Sequence, residues 1–137
     1  MRRILLLFPV AVVAAAAFQW LAVSVDAHHS EAPFYDGDRT VNIRGVVKSW
    51  VFRNPHPFLY VEVEEGDGSV ARWVLEGAGA TQFAQQGINK DVFKIGDPVQ
   101  VIANPSRSPN STRGRLIKIT RTTDGKSWGT RVGEVVD

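Results

Sequence analysis

The sequence predicts a mainly β fold: a small five-stranded OB-like barrel with one short helix between strands 3 and 4, preceded by an N-terminal signal helix. Three observations carry this prediction. After residue 40, five stretches alternate apolar and polar side chains with the period of two that a half-buried strand shows. One short run, ATQFAQQ, interrupts the alternation between the third and fourth stretches. The first stretch holds a glycine, Gly45, at which one strand can bend and serve both halves of a closed sheet.

The elements follow in order. Residues 28–40, with Pro33, Gly37 and mixed polarity, read as an N-terminal arm. VNIRGVVKSW (41–50) is the first strand, with Val41, Ile43 and Val47 on one face and Gly45 at a bulge or bend. Arg53 to Pro57 is a turn, because two prolines bracket His56. FLYVEVE (58–64) is the clearest strand: Leu59, Val61 and Val63 face one way, and Tyr60, Glu62 and Glu64 the other. Glu65 to Ser69 is a hairpin connection leading into VARWVLE (70–76). Residues 80–86 form the short helix, stopped by Gly87, and Ile88 and Phe93 plug the end of the core. KIGDPVQVIAN (94–104) is a turn and a fourth strand, and PSRSPNST (105–112) is a polar loop. RGRLIKITRT (113–122) is the fifth strand, where strict alternation sets Leu116 opposite to Ile117 and Ile119. Asp124-Gly125 marks a turn into an extended or frayed tail. The domain is therefore 41–122, with residues 123–137 a C-terminal hairpin or tail. Barrel closure removes open sheet edges. The alternative is a two-layer β-sandwich with the helix across one end.

Residues 1–27 read as a signal peptide. Arg2 and Arg3 precede an apolar run from Ile4 to Val25, and Val25-Asp26-Ala27 ends it with small or apolar residues at −3 and −1. Cleavage is expected after Ala27, which places the mature chain in the periplasm or outside the cell. The alternative is an uncleaved inner-membrane anchor over residues 4–25, since the run is nearly long enough to span a bilayer. The formal net charge of +2 argues against a nucleic-acid binder, which carries a basic stripe. The chain has no cysteine, hence no disulfide or thiolate site, and its one methionine is Met1.

Several residues taken together resemble a family of small exported bacterial proteins known only as a domain of unknown function. They are His28-His29-Ser30 after the signal, Tyr35-Asp36, the strand from Val41 to Trp50, Asn54-Pro55-His56, Trp73 with Glu76, the KIGDPV turn, and Ser106 to Ile119. The resemblance spans nearly all of the mature chain. It implies export and a small β-rich domain, and no established activity.

Chemistry must then be sought in the side chains. Cleavage after Ala27 would make His28 the first residue, so that its amine and ring chelate one metal ion, and a second imidazole would complete a three-nitrogen set. Such nitrogen sites favour Cu(II). His56 is the candidate for the second imidazole and His29 its rival. Tyr35, Asp36 and Glu31 are candidates for an axial or outer-sphere oxygen. The plainer alternative is that His28 and His29 begin an exposed arm and that His56 caps a turn.

Trp50, Phe52, Phe58 and Tyr60 gather around the His56 turn. Either they form a ligand platform, as OB barrels often have, or they are core. Tyr60 shares a face with Glu62 and Glu64 and is the better surface candidate, whereas Trp73 shares one with Leu75 and belongs to the core. Arg107, Arg113 and Arg115 flank the polar loop, as an anion site or as a solvated rim. Gly77-Ala78-Gly79 lacks the third glycine of a dinucleotide loop, and no serine sits in a nucleophile elbow.

The expected function is an exported binding module holding copper through His28 and His56, with a periplasmic copper donor or acceptor protein as its partner. One alternative is a metal-free module that binds a glycan, a peptide or a partner protein through its aromatic and arginine surface. The other is a copper-dependent oxidative enzyme.

Overall fold

The computed structural model describes residues 32–129. Within them β1 (Val41–Val51) takes two partners in succession. Val41 to Val46 pair antiparallel with β4 (Pro98–Pro105), and Val46 to Val51 pair antiparallel with β2 (Phe58–Glu64). Gly45 lies at the handover. A Cβ at this position would run into the Glu62 carbonyl oxygen and the Val61 side chain, so glycine permits the close approach of β2. The bulge itself falls further on, between Val47 and Ser49, where Lys48 has no partner in the ladder.

β3 (Val70–Glu76) returns along β2 through a hairpin. The hairpin is closed by Glu65 N–H donating to the Ser69 carbonyl at 2.8 Å, and by the Asp67 carboxylate accepting from the Ser69 amide and hydroxyl. β5 (Arg113–Arg121) pairs antiparallel with β4. Its first residues also run parallel to the end of β3, Val74 opposite Arg113 and Glu76 opposite Arg115. That last pairing closes five strands, in the order β3-β2-β1-β4-β5, into the expected OB-like barrel. A short strand β6 (Ser127–Gly129) adds to β5 as a hairpin partner.

The helix α1 (Ala80–Gln85) lies between β3 and β4, as expected. It ends on Gly87 at a φ of +75°, where a side chain would be strained. Gly87 N–H donates to the Ala84 carbonyl and Ile88 N–H to the Phe83 carbonyl, each at 3.0 Å. This is the Schellman arrangement, and it brings buried Ile88 onto buried Phe83. The core joins Ile43, Val47, Leu59, Val61 and Leu75 to Phe83, Ile88, Phe93, Val99, Val101, Leu116 and Ile119. Each large aliphatic side chain buried here contributes about 1.5–3 kcal/mol against the entropy of ordering the chain.

One sequence expectation is corrected. Leu116 and Ile119 do not face opposite ways: both are 1% exposed. Ala103 pairs with Leu116 and Ile102 with Lys118, so Ile117 is an extra residue that reverses the phase of β5. Strict alternation cannot anticipate such an insertion.

Among the described residues no helix is long and apolar enough to cross a membrane. Residues 1–27, expected from the sequence to be a signal peptide, and the residues after Gly129 lie outside the described residues.

Candidate functional site

The loop between β1 and β2 carries Asn54-Pro55-His56-Pro57, with a cis bond between Asn54 and Pro55. It is tied to the end of β3 and the start of α1. Gly77 N–H donates to the Pro57 carbonyl at 2.8 Å and Ala80 N–H to the Pro55 carbonyl at 3.3 Å. The same corner holds the His56 ring, whose Nδ1 lies 3.1 Å from the Gly77 carbonyl oxygen. A carbonyl only accepts, so Nδ1 carries the proton in this hydrogen bond, and in the neutral ring Nε2 is the nitrogen with the lone pair. The His56 side chain is 30% exposed.

Glu76 stands next to it, with Oε1 at 3.9 Å from His56 Nδ1. Its other oxygen, Oε2, accepts a hydrogen bond from the Tyr35 hydroxyl at 2.7 Å. Tyr35 is 7% exposed. Its hydroxyl pKa is raised above the ordinary tyrosine value, first by burial and then by the hydrogen bond and charge of Glu76, while Arg113 pulls it the other way.

Tyr35 is brought here by the arm. Residues 32–39 lie along the loop between β4 and β5: Tyr35 bridges Ser106, Asp36 N–H donates to the Pro105 carbonyl, and Arg107 N–H donates to the Phe34 carbonyl. Arg107 Nε donates to the Ala32 carbonyl at 2.9 Å, and the Asn104 amide donates to the Arg39 carbonyl at 2.7 Å. Among the described residues Asn104 is the buried polar one, and its bond to Arg39 satisfies its side-chain donor. The arm is thus docked at its described end. A hollow of about 370 Å³ opens beside it, lined by Tyr35, Asp38, Asn104, Arg107 and Arg115 among others. The Arg107 guanidinium lies 3.7 Å from the Asp36 carboxylate.

Of the sequence candidates, His56 and Tyr35 meet through Glu76, with Arg113 beside the Tyr35 hydroxyl. Asp36 pairs with Arg107 instead. His28, His29 and Glu31 lie outside the described residues. Among the described residues no group of three or more His, Asp or Glu side chains is placed to hold a metal. Trp50 is half-buried: its ring packs edge-on against Phe83 and Phe93, and its Nε1 donates to the Asn89 carbonyl at 2.9 Å. Tyr60 is 38% exposed on the outer face of β2, apart from this corner. The sequence by itself does not mark Glu76, Gly77 or Asn104 as site residues. A glutamate ending an alternating strand carries no local signal, and its importance comes from the distant Tyr35.

The chain belongs to DUF6152, a family of unknown function whose model matches residues 15–115, a span that includes Tyr35, His56, Glu76 and Arg113. No curated protein and no solved structure matches the chain.

Proposed function

We propose that this member of the family is an exported, periplasmic binding module that holds a copper ion through Nε2 of His56 and the N-terminal residue of the processed chain. The observation that carries the reading is the tethered ring: Nδ1 of His56 is bound to the Gly77 carbonyl, with the Glu76 carboxylate at 3.9 Å on the same nitrogen. Imidazoles that bind metals characteristically donate their second N–H to a carbonyl or carboxylate. This selects the tautomer, aims the ring and raises ligand basicity.

Cleavage after Ala27 supplies the remaining donors as the amine and ring of His28, with His29 adjusting the site. In sequence, His28 precedes Tyr35 by seven positions, and Tyr35 is hydrogen-bonded to Glu76. A nitrogen set of this kind favours Cu(II) over harder ions. The role is carriage: the module buffers copper or passes it to a partner protein in the same compartment, and no turnover is assigned to it.

The test is Cu(II) binding by the processed protein and by His56→Ala, followed by electron paramagnetic resonance. The expected result is tight one-to-one binding, with loss of one nitrogen coupling and weaker affinity in the variant. Identical spectra and affinity in the two proteins would overturn the role of His56.

A further inference from the structure

The outer face of β1, β2 and β3 carries a second constellation, independent of the His56 corner. Alternation along β2 sends Tyr60 and Glu62 outward. The register sets Glu62 opposite Arg72 on β3 and beside the bulge that carries Lys48 on β1. Lys48 Nζ lies 2.9 Å and Arg72 Nε 3.2 Å from the Glu62 carboxylate. Both cations hold that carboxylate below its ordinary pKa, with the Lys48 hydrogen bond the largest cause, so it is an acceptor at neutral pH. Tyr60 is exposed on the same strand, and it lines a hollow of about 230 Å³ together with Lys48, Ser49, Glu62 and Arg72, with Val61 and Trp73 completing the wall.

The chemistry selects among ligands. The hollow is smaller than the roughly 300–1,000 Å³ that accommodates a drug-sized molecule, so it suits one ring. Both cations already face a carboxylate, and the whole chain carries a net charge of only +2. A polyanion such as single-stranded nucleic acid needs cations free to displace its counterions, and this face supplies few. What remains is an aromatic surface next to an ionised acceptor and two strong donors. A neutral sugar ring matches that set: its C–H face lies on the phenol ring, and its hydroxyls both accept from Lys48 and Arg72 and donate to Glu62.

We propose that this face binds one saccharide unit of a neutral glycan, with Tyr60 as the stacking platform and Glu62, Lys48 and Arg72 as hydroxyl partners. The purified protein would be titrated with maltohexaose, cellohexaose and chitohexaose, and with an oligothymidylate as the polyanionic comparator, while amide shifts are followed by nuclear magnetic resonance. At least one saccharide should move the amides of Lys48, Tyr60, Glu62 and Arg72 and leave His56 and Gly77 in place. Tyr60→Ala should weaken that binding about tenfold or more, the scale of one lost aromatic stack, whereas Tyr60→Phe should retain it. Three results would each overturn the proposal: no shift at this face with any of the three saccharides, tighter binding of the oligothymidylate there, or saccharide affinity unchanged in Tyr60→Ala. The wild-type shift map alone decides the first two, so the outcome does not depend on the variants folding.

Discussion

Tyr35 and Glu76, separated by 41 positions, meet at 2.7 Å, the phenol donating to the carboxylate. This one bond joins three parts of the molecule. Tyr35 belongs to the arm that runs along the loop between β4 and β5, Glu76 ends β3, and the second oxygen of Glu76 approaches the His56 ring. The same carboxylate therefore touches both the docked arm and the ring that the Gly77 carbonyl orients.

Tyr35→Phe removes that bond and leaves the ring in place. A hydrogen bond to a charged acceptor contributes about 1.5–3 kcal/mol, and the Glu76 carboxylate would retain some hydration, so a loss of about 1–2 kcal/mol is expected in urea unfolding. Amide exchange at Asp36 and Arg107 should accelerate, because their backbone bonds belong to the arm's docking. Unchanged stability and exchange would show that the arm is held without the Tyr35 hydroxyl, by its backbone bonds and its contacts with Arg107 and Asn104.

Gly45→Ala puts a methyl group against the Glu62 carbonyl and the Val61 side chain at the point where β1 changes partners. The expected cost is about 3 kcal/mol or more, read as a large fall in thermal midpoint or as insoluble protein. Gly37→Ala is the matched comparison: nothing lies within 4 Å of its added Cβ, so its effect should be small. Equal effects at the two sites would contradict the close-approach account of β1.

Arg121 and Asp124 give the clearest dependence on pH. Arg121 Nε and Nη2 grip both Asp124 oxygens, at 3.1 and 2.6 Å, and the guanidinium also donates to the Val92 carbonyl and lies over Trp128. The Asp124 carboxyl is thereby held at about 2, below its ordinary 3.8. A carboxyl depressed by folding adds stability above its unfolded pKa and loses it as pH falls through the folded one. The midpoint difference between wild type and Asp124→Asn should thus hold steady from neutral pH down to about 4 and close as pH approaches 2. A difference that persists at pH 2 would mean that the pair acts through packing and not through charge.

The barrel could be read from the chain because its determinants are local. Period-two alternation marked β1 to β5, Gly87 marked the end of the helix, and Gly45 marked the place where β1 serves two partners. Local pattern failed where one residue alters register: Ile117 adds itself to β5 and brings Leu116 and Ile119 onto the same inner side. At the candidate site, Asn54-Pro55-His56 marks His56 through its own neighbours. The roles of Glu76 and Asn104 were hidden, because their partners Tyr35 and Arg39 come from the arm, 41 and 65 positions away. No periodicity encodes contacts of that range; they follow from barrel closure and arm docking. Trp50 was ambiguous for the opposite reason. An aromatic beside a loop looks the same in sequence whether it faces solvent or, as here, Phe83 and Phe93.

The most direct test of copper carriage compares two proteins, one beginning at His28 and one carrying a single extra alanine before it. Both would be titrated with Cu(II) and examined by electron paramagnetic resonance. An N-terminal chelate needs the free amine on the same residue as the ring, and one added residue destroys it without touching the barrel. The account predicts tight one-to-one binding with nitrogen coupling in the first protein and greatly weakened binding in the second. Weak binding, equal in both, would contradict it, leaving His56 as a turn residue held by the Gly77 carbonyl.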